Sequence, residues 1–171
     1  MAGEMLQIGE GFAGDGVDAA HVNTVLGRRD GPVGTAWVSA LAMPRDGHIA
    51  FPAVVQPGLA VQPPTLFVNK APLDNPRHEA LTWGAAQAGV AAGVADAVAD
   101  GVIPAHEVTE LLLIAAVWVN PEGVDAEAVY LNNRVATRTA LERGEQGLPH
   151  VEPVLAARGT PWNPYFELLR G

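Results

Sequence analysis

The run from Leu111 to Val119, Leu-Leu-Leu-Ile-Ala-Ala-Val-Trp-Val, is the densest apolar stretch of the chain and the one that most limits its fold. It is about half the length of the roughly 20 residues a membrane-spanning helix needs. It therefore reads as a central strand, nearly continuous in apolar side chains and buried on both faces. Around it the chain alternates short strands with helices and shows no repeat or low-complexity tail. Its 171 residues are enough for one domain that buries roughly 70% of its unfolded surface without staples.

Leu6 to Phe12 reads as a strand running into the turn Gly14-Asp15-Gly16, and Ala19 to Leu26 as its antiparallel neighbour. Pro32 opens a helix through Met43, since proline is tolerated at the first helical position. Phe51 to Gln56 and Leu66 to Lys70 are short strands separated by the stiff proline-rich turn Pro57 to Pro64. The longest helix runs from about Pro76 to Ala99 and stops at Gly101. Gly84, Gly89 and Gly93 within it each cost up to about 1 kcal/mol in helix propensity, which predicts compensating close packing against a sheet or another subunit. Asp125 caps a last helix to about Arg143. The aromatic, proline-broken tail Pro161 to Phe166 is expected to dock on the body or on a neighbouring subunit.

A formal net charge of -9 argues against nucleic-acid and anionic-membrane partners, which require a basic footprint. The chain has no cysteine, so disulfides, thiolate nucleophiles and Cys-ligated metals are excluded. That fits a reducing compartment, and with no basic region leading into an apolar run between Met1 and Glu10 the expected location is cytoplasmic. No two histidines fall at i, i+4, and His-Glu-x-x-His is absent, so no dedicated metal site is expected. A Gly-x-Ser-x-Gly elbow, a Walker loop and a Gly-x-Gly-x-x-Gly fingerprint are also missing. An anionic ligand would be held by local cations, either Arg28 with Arg29 or Lys70 with Arg77; surface solvation is the alternative for all four.

Nine of the ten basic side chains are arginine; the one lysine is Lys70, in Asn69-Lys70. An ammonium loses its proton on burial and its free amine can attack a carbonyl, which a guanidinium does not do. Lys70 is thus either a ligand contact or a solvated strand end. Strand alternation places His21 and Asn23 on one face, about 7 Å apart, and Val22 and Thr24 on the other. His21 then sits beside a polar partner, as a general acid or base or as a structural hydrogen-bonder. His48, His78, His106 and His150 lie in turns or at helix starts and are weaker candidates.

Gly9-Glu10-Gly11-Phe12-Ala13-Gly14-Asp15-Gly16, Ala20-His21, Asp30-Gly31-Pro32-Val33-Gly34-Thr35-Ala36, Asn69-Lys70, Gly84 to Val90, Gly101-Val102-Ile103-Pro104 and Asn133 with Ala136-Thr137 follow one another in a characteristic order. In this ordered set, from about Leu6 to Gly147, the chain resembles the formaldehyde-activating enzymes, the tetrahydromethanopterin hydro-lyases of one-carbon metabolism. The resemblance implies an α/β (α+β) fold like domain 2 of ribosomal protein S5, a mixed sheet with helices packed on it. It implies one domain over residues 1–171, with a core at about 6–147 and a docked tail at 148–171. A homopentamer with clefts between subunits is also implied. The implied reaction condenses formaldehyde with a reduced pterin, tetrahydromethanopterin or a related amine, to the methylene derivative and water. That pterin is a co-substrate, with no permanently bound cofactor.

By the same resemblance His21 is the proton donor, and Lys70 and Gln87 contact the pterin. Asn23 stands where the family has an acid, and Pro52 and Pro72 stand where it usually has leucine and threonine. With His21 as acid, Lys70 reads as a ligand anchor rather than a Schiff-base nucleophile. The departures at Asn23, Pro52 and Pro72 leave room for a non-catalytic homologue that binds a pterin or scavenges formaldehyde.

Overall fold

The computed structural model describes residues 5–163 and 166–167. β1 (Leu6–Ala13) turns through Gly14 and Gly16, both at positive φ, into β2 (Ala20–Arg28), and the two pair antiparallel from Leu6 with Gly27 to Ala13 with Ala20. α1 (Pro32–Ala42) begins at its proline. The expected strand over Phe51 to Gln56 is broken in two at Ala53, a buried residue whose N–H donates to the Thr65 carbonyl and whose own carbonyl accepts from Val61 N–H. β3 (Ala50–Pro52) joins the main sheet, whereas β4 (Val54–Gln56) pairs with β5 (Leu59–Ala60) in a separate hairpin. β6 (Thr65–Asn69) follows.

Three helical segments then run end to end. They are α2 (Pro76–Ala80), a π turn at Leu81–Ala86 and α3 (Gln87–Ala99). The expected long helix is therefore present, with one wide turn that re-phases the faces beyond it. β7 (Leu111–Trp118) lies at the sheet centre, and α4 (Ala126–Glu145) is capped by Asp125, whose carboxylate accepts from Glu127 and Ala128 N–H. The five-stranded sheet has the order β1-β2-β7-β6-β3; β6 and β7 are parallel and the other pairs antiparallel, which makes it the mixed sheet of an α/β protein.

α4 covers the inner face of β1 and β2, and α3 packs on α4. The approach is close enough to exclude side chains: a Cβ added to Gly9 would lie 1.8 Å from the Ala140 carbonyl oxygen, and one on Gly11 1.9 Å from that of Ala136. Gly89 and Gly93 give α3 the expected close packing, but on a helix, α4, against the Tyr130 and Arg134 carbonyls, rather than on the sheet or another subunit. Gly84, in the π turn, has no such neighbour. Val22, Leu26, Phe67, Leu113, Val117, Val90 and Val94 fill the core between these layers.

Among the described residues the outer face is covered at only one end. α1 lies over β2 and β7 there, and Leu111 to Leu113 are buried. Beyond α1, Ile114, Ala116 and Trp118 alternate with buried Ala115 and Val117 and are only half-buried, so β7 is not enclosed along its whole length. Leu6, Ile8 and Phe12 on β1 are exposed on the same face. The tail is exposed on this chain from Val151 to Asn163. After α4 the chain forms α5 (Val151–Ala157), which is exposed throughout, and β8 (Trp162–Asn163) pairs with β9 (Phe166–Glu167). Trp162 is exposed, and Pro164 and Tyr165 of the expected docking tail lie outside the described residues.

Candidate active site

At the open end of the outer face three strands present polar side chains to one another. Alternation on β2 sends His21 and Asn23 outward, and the antiparallel register sets Phe12 opposite His21 and Glu10 opposite Asn23 on β1. Trp118 is opposite His21 on β7. Lys70 follows the last residue of β6, and its N–H bonds to the Val117 carbonyl of β7, which continues the strand by one step. The sheet has therefore gathered residues 10, 21, 23 and 70, far apart in sequence, at one spot.

Glu10 Oε1 lies 2.7 Å from His21 Nε2, and Lys70 Nζ lies 3.3 Å from His21 Nδ1 and 2.7 Å from Asn23 Oδ1. These contacts form one consistent set. Nε2–H of His21 donates to the carboxylate, and Nδ1 faces the amine of Lys70, which also donates to the Asn23 amide oxygen. Phe12 packs against the imidazole with ring centroids 6.4 Å apart. Burial of about half of the Lys70 side chain holds its amine below the ordinary lysine range, and the charge of Glu10 only partly opposes this.

Three of the four residues singled out in the sequence, His21, Asn23 and Lys70, thus form one hydrogen-bonded cluster. Asn23 touches Lys70 rather than the histidine. The carboxylate in contact with the histidine is Glu10, on the neighbouring strand. The sequence does not single out Glu10, which sits in a glycine-rich run, although pairing β1 with β2 through the Gly14-Asp15-Gly16 turn places it on the face of His21.

Gln87 lies elsewhere. It is buried at the start of α3, and its Oε1 accepts from the Val54 N–H of β4 at 2.6 Å. Pro52 ends the edge strand β3, where a missing N–H is tolerated. Arg28 pairs at the surface with Asp30 and Glu110, the bland alternative for that residue, and among the described residues no hydrogen bond or ion pair joins Arg77 to Lys70.

Two other histidines are structural. His78 is fully buried, its Nδ1 accepts from Asp74 N–H and its Nε2 donates to the Val119 carbonyl. His48 Nδ1 donates to the carbonyl of Asn69. The Asn69 side chain in turn accepts from Ile49 N–H and donates to the Gly47 and Ala71 carbonyls, which pins the loop beside Lys70. Among the described residues no three His, Asp or Glu side chains converge on a metal-sized site, and no helix is long and apolar enough to cross a membrane.

Fold and site together define an α/β protein with a hydrogen-bonded polar cluster, an imidazole between a carboxylate and an amine, on one face of its sheet. A family model described as Formaldehyde-activating enzyme (Fae) matches residues 8–166, and the chain belongs to this family. It is 39% identical over 158 residues to a 5,6,7,8-tetrahydromethanopterin hydro-lyase of Methanosarcina barkeri, covering 92% of this chain and 89% of the relative. It is 38% identical over 151 residues, 88% of its length, to a bifunctional enzyme Fae/Hps of Methanosarcina mazei. A protein of the same description from Archaeoglobus fulgidus is 36% identical over 159 residues, 93% of this chain. The match spans only 38% and 40% of those two longer proteins.

Proposed function

We propose that this protein condenses formaldehyde with a reduced pterin, tetrahydromethanopterin or a close relative, to give the methylene derivative and water. The observation that carries this reading is His21 held between Glu10 and Lys70 on the open sheet face of a chain from this family. Adding an amine to formaldehyde gives a hydroxymethyl amine. Dehydration to an iminium then needs a proton on the departing hydroxyl, and a second amine closes the ring. His21 is the donor, a role worth typically 10²- to 10⁴-fold in rate. Glu10 fixes the ring so that Nδ1 points toward the reacting amine, and Lys70 and Asn23 mark the place of the one-carbon unit. In the same reading Gln87 contacts the pterin, while its Oε1 holds the β4 backbone at Val54.

The S5-like subunit, the homopentamer and the cytoplasmic location belong to the same reading. A second copy seated on the outer face would cover Leu6, Ile8 and Phe12 and close the open end over His21. That closure would exclude water from an iminium that water would otherwise hydrolyse.

The test mixes purified protein with formaldehyde and tetrahydromethanopterin and follows methylene formation above the spontaneous rate. Acceleration that is lost in His21→Ala supports the reading. Thermal stabilisation by the pterin without acceleration would replace it with a binding role. Native mass spectrometry reads the assembly state directly.

A further inference from the structure

We propose that Lys70 carries formaldehyde covalently, its Nζ taking up the one-carbon unit beside His21 and passing it to the acceptor amine. This rests on the condensation described above and assigns the first carbon–nitrogen bond to the protein rather than to the pterin. It revises the reading of Lys70 as an anchor alone.

The geometry supplies what such a step needs. The amine is 3.3 Å from the Nδ1 of the proton donor, so bond formation at Nζ places the new hydroxyl within reach of the same imidazole. Among the described residues its two hydrogen-bond partners, His21 Nδ1 and Asn23 Oδ1, are neutral acceptors, and the one nearby carboxylate, Glu10, is taken up by His21 Nε2. A lysine meant only as a cationic anchor would be set against an acid. Half-burial, with its downward pull on the lysine pKa, further favours the free amine.

In the step itself the Lys70 ammonium first gives a proton to His21 Nδ1, and the freed Nζ lone pair attacks the formaldehyde carbon while the carbonyl π pair moves to oxygen. A proton passes from nitrogen to that oxygen, which leaves Nζ–CH₂OH. His21 then protonates the hydroxyl, the C–O bond breaks, and water departs from a methylene iminium on Nζ. An acceptor N–H nitrogen attacks that carbon and the iminium π pair passes to Nζ. The acceptor's proton moves to Nζ, and the C–Nζ bond breaks with its electrons returning to Nζ as the acceptor nitrogen's lone pair forms a new iminium. A second acceptor nitrogen closes the ring, the proton it loses returning to Lys70. The sum is formaldehyde plus diamine to methylene diamine plus water.

Lys70 is the only lysine, so the test is clean. The intact chain is treated with ¹³C-formaldehyde and sodium cyanoborohydride, which reduces an iminium to a methylamine, and Lys70 is read by peptide mass spectrometry. The same lysine in the urea-unfolded chain is the control. Faster labelling in the folded state is expected, about tenfold for each unit by which the amine's pKa is lowered, and slower labelling in His21→Ala. Burial alone would protect the amine, so labelling no faster than in the unfolded chain overturns the proposal.

Turnover separates it from the reading it rests on. Lys70→Arg with undiminished methylene formation would overturn covalent carriage while leaving the condensation in place. Rapid labelling of Lys70 in a protein that does not accelerate methylene formation would support formaldehyde capture and overturn the pterin reading.

Discussion

The carboxylate of Glu10 stands 2.7 Å from His21 Nε2 across the β1–β2 pair, on the side of the ring away from Lys70. One nitrogen of the imidazole is thereby committed to orientation and the other is left for chemistry. Glu10→Ala frees the ring, and kcat is expected to fall by about tenfold to a hundredfold, part of the general-acid contribution. Glu10→Gln keeps an acceptor and should recover much of that loss. Glu10 is exposed, so both variants should melt within about 0.5 kcal/mol of the parent. Steady-state rates set beside thermal melts make the comparison.

Asn23→Asp places a carboxylate where the amide oxygen now lies, 2.7 Å from Lys70 Nζ. An opposite charge at that distance favours the ammonium. In the parent, burial holds the amine below 10.5; in the variant its titration is expected to move back up. The pH at which Lys70 becomes reactive should therefore rise. A single lysine gives a single side-chain resonance, so an NMR titration of both proteins reads the shift directly. Coincident titration curves would show that Asn23 does not tune the amine.

Much of this site is legible in the amino-acid sequence. His21 and Asn23 share a face because strands alternate, and Lys70 stands out as the one ammonium among guanidinium groups. Glu10 does not, since its role depends on register with β2 rather than on its own neighbours. The continuous apolar run of β7 conceals that, among the described residues, only α1 covers the outer face, and only at one end. No periodicity announces the break at Ala53, because it is made by partners at Val61 and Thr65 on both sides of that residue. α5 does place Val151, Val154 and Leu155 at helical spacing, but seven residues with Pro153 among them are too short for that pattern to stand out.

Asp96 on α3 and Arg134 on α4 form a two-point pair, with contacts of 2.6 and 2.8 Å. The guanidinium holds the Asp96 carboxyl below its ordinary 3.8. Both side chains are substantially solvated, so Asp96→Asn should cost only about 0.5 to 1 kcal/mol at neutral pH. A depressed carboxylate stabilises the folded state above the unfolded pKa and ceases to do so as the pH falls through the folded one. The difference between parent and variant should accordingly be full at neutral pH and shrink below 3.8, as denaturant titrations at several pH values would show.

Gly11→Ala drives a methyl into the Ala136 carbonyl, which is backbone and cannot rotate away. A loss of at least about 2 kcal/mol is expected, from overpacking. The same change at Gly84, where no atom lies within 4 Å, should be neutral or stabilising through helix propensity. Parallel urea melts of the two variants test the contrast.

The bare backbone of Gly9 and Gly11 under α4 also acts as a key. If β1 slid by one residue along β2, Glu10 would be driven beneath α4, where even a methyl does not fit. The chain therefore has one seating of that strand open to it, the seating that hands the carboxylate to His21. A protein that has docked α4 has by that act already set Glu10 beside His21, so folding of this layer and assembly of the polar cluster are a single event.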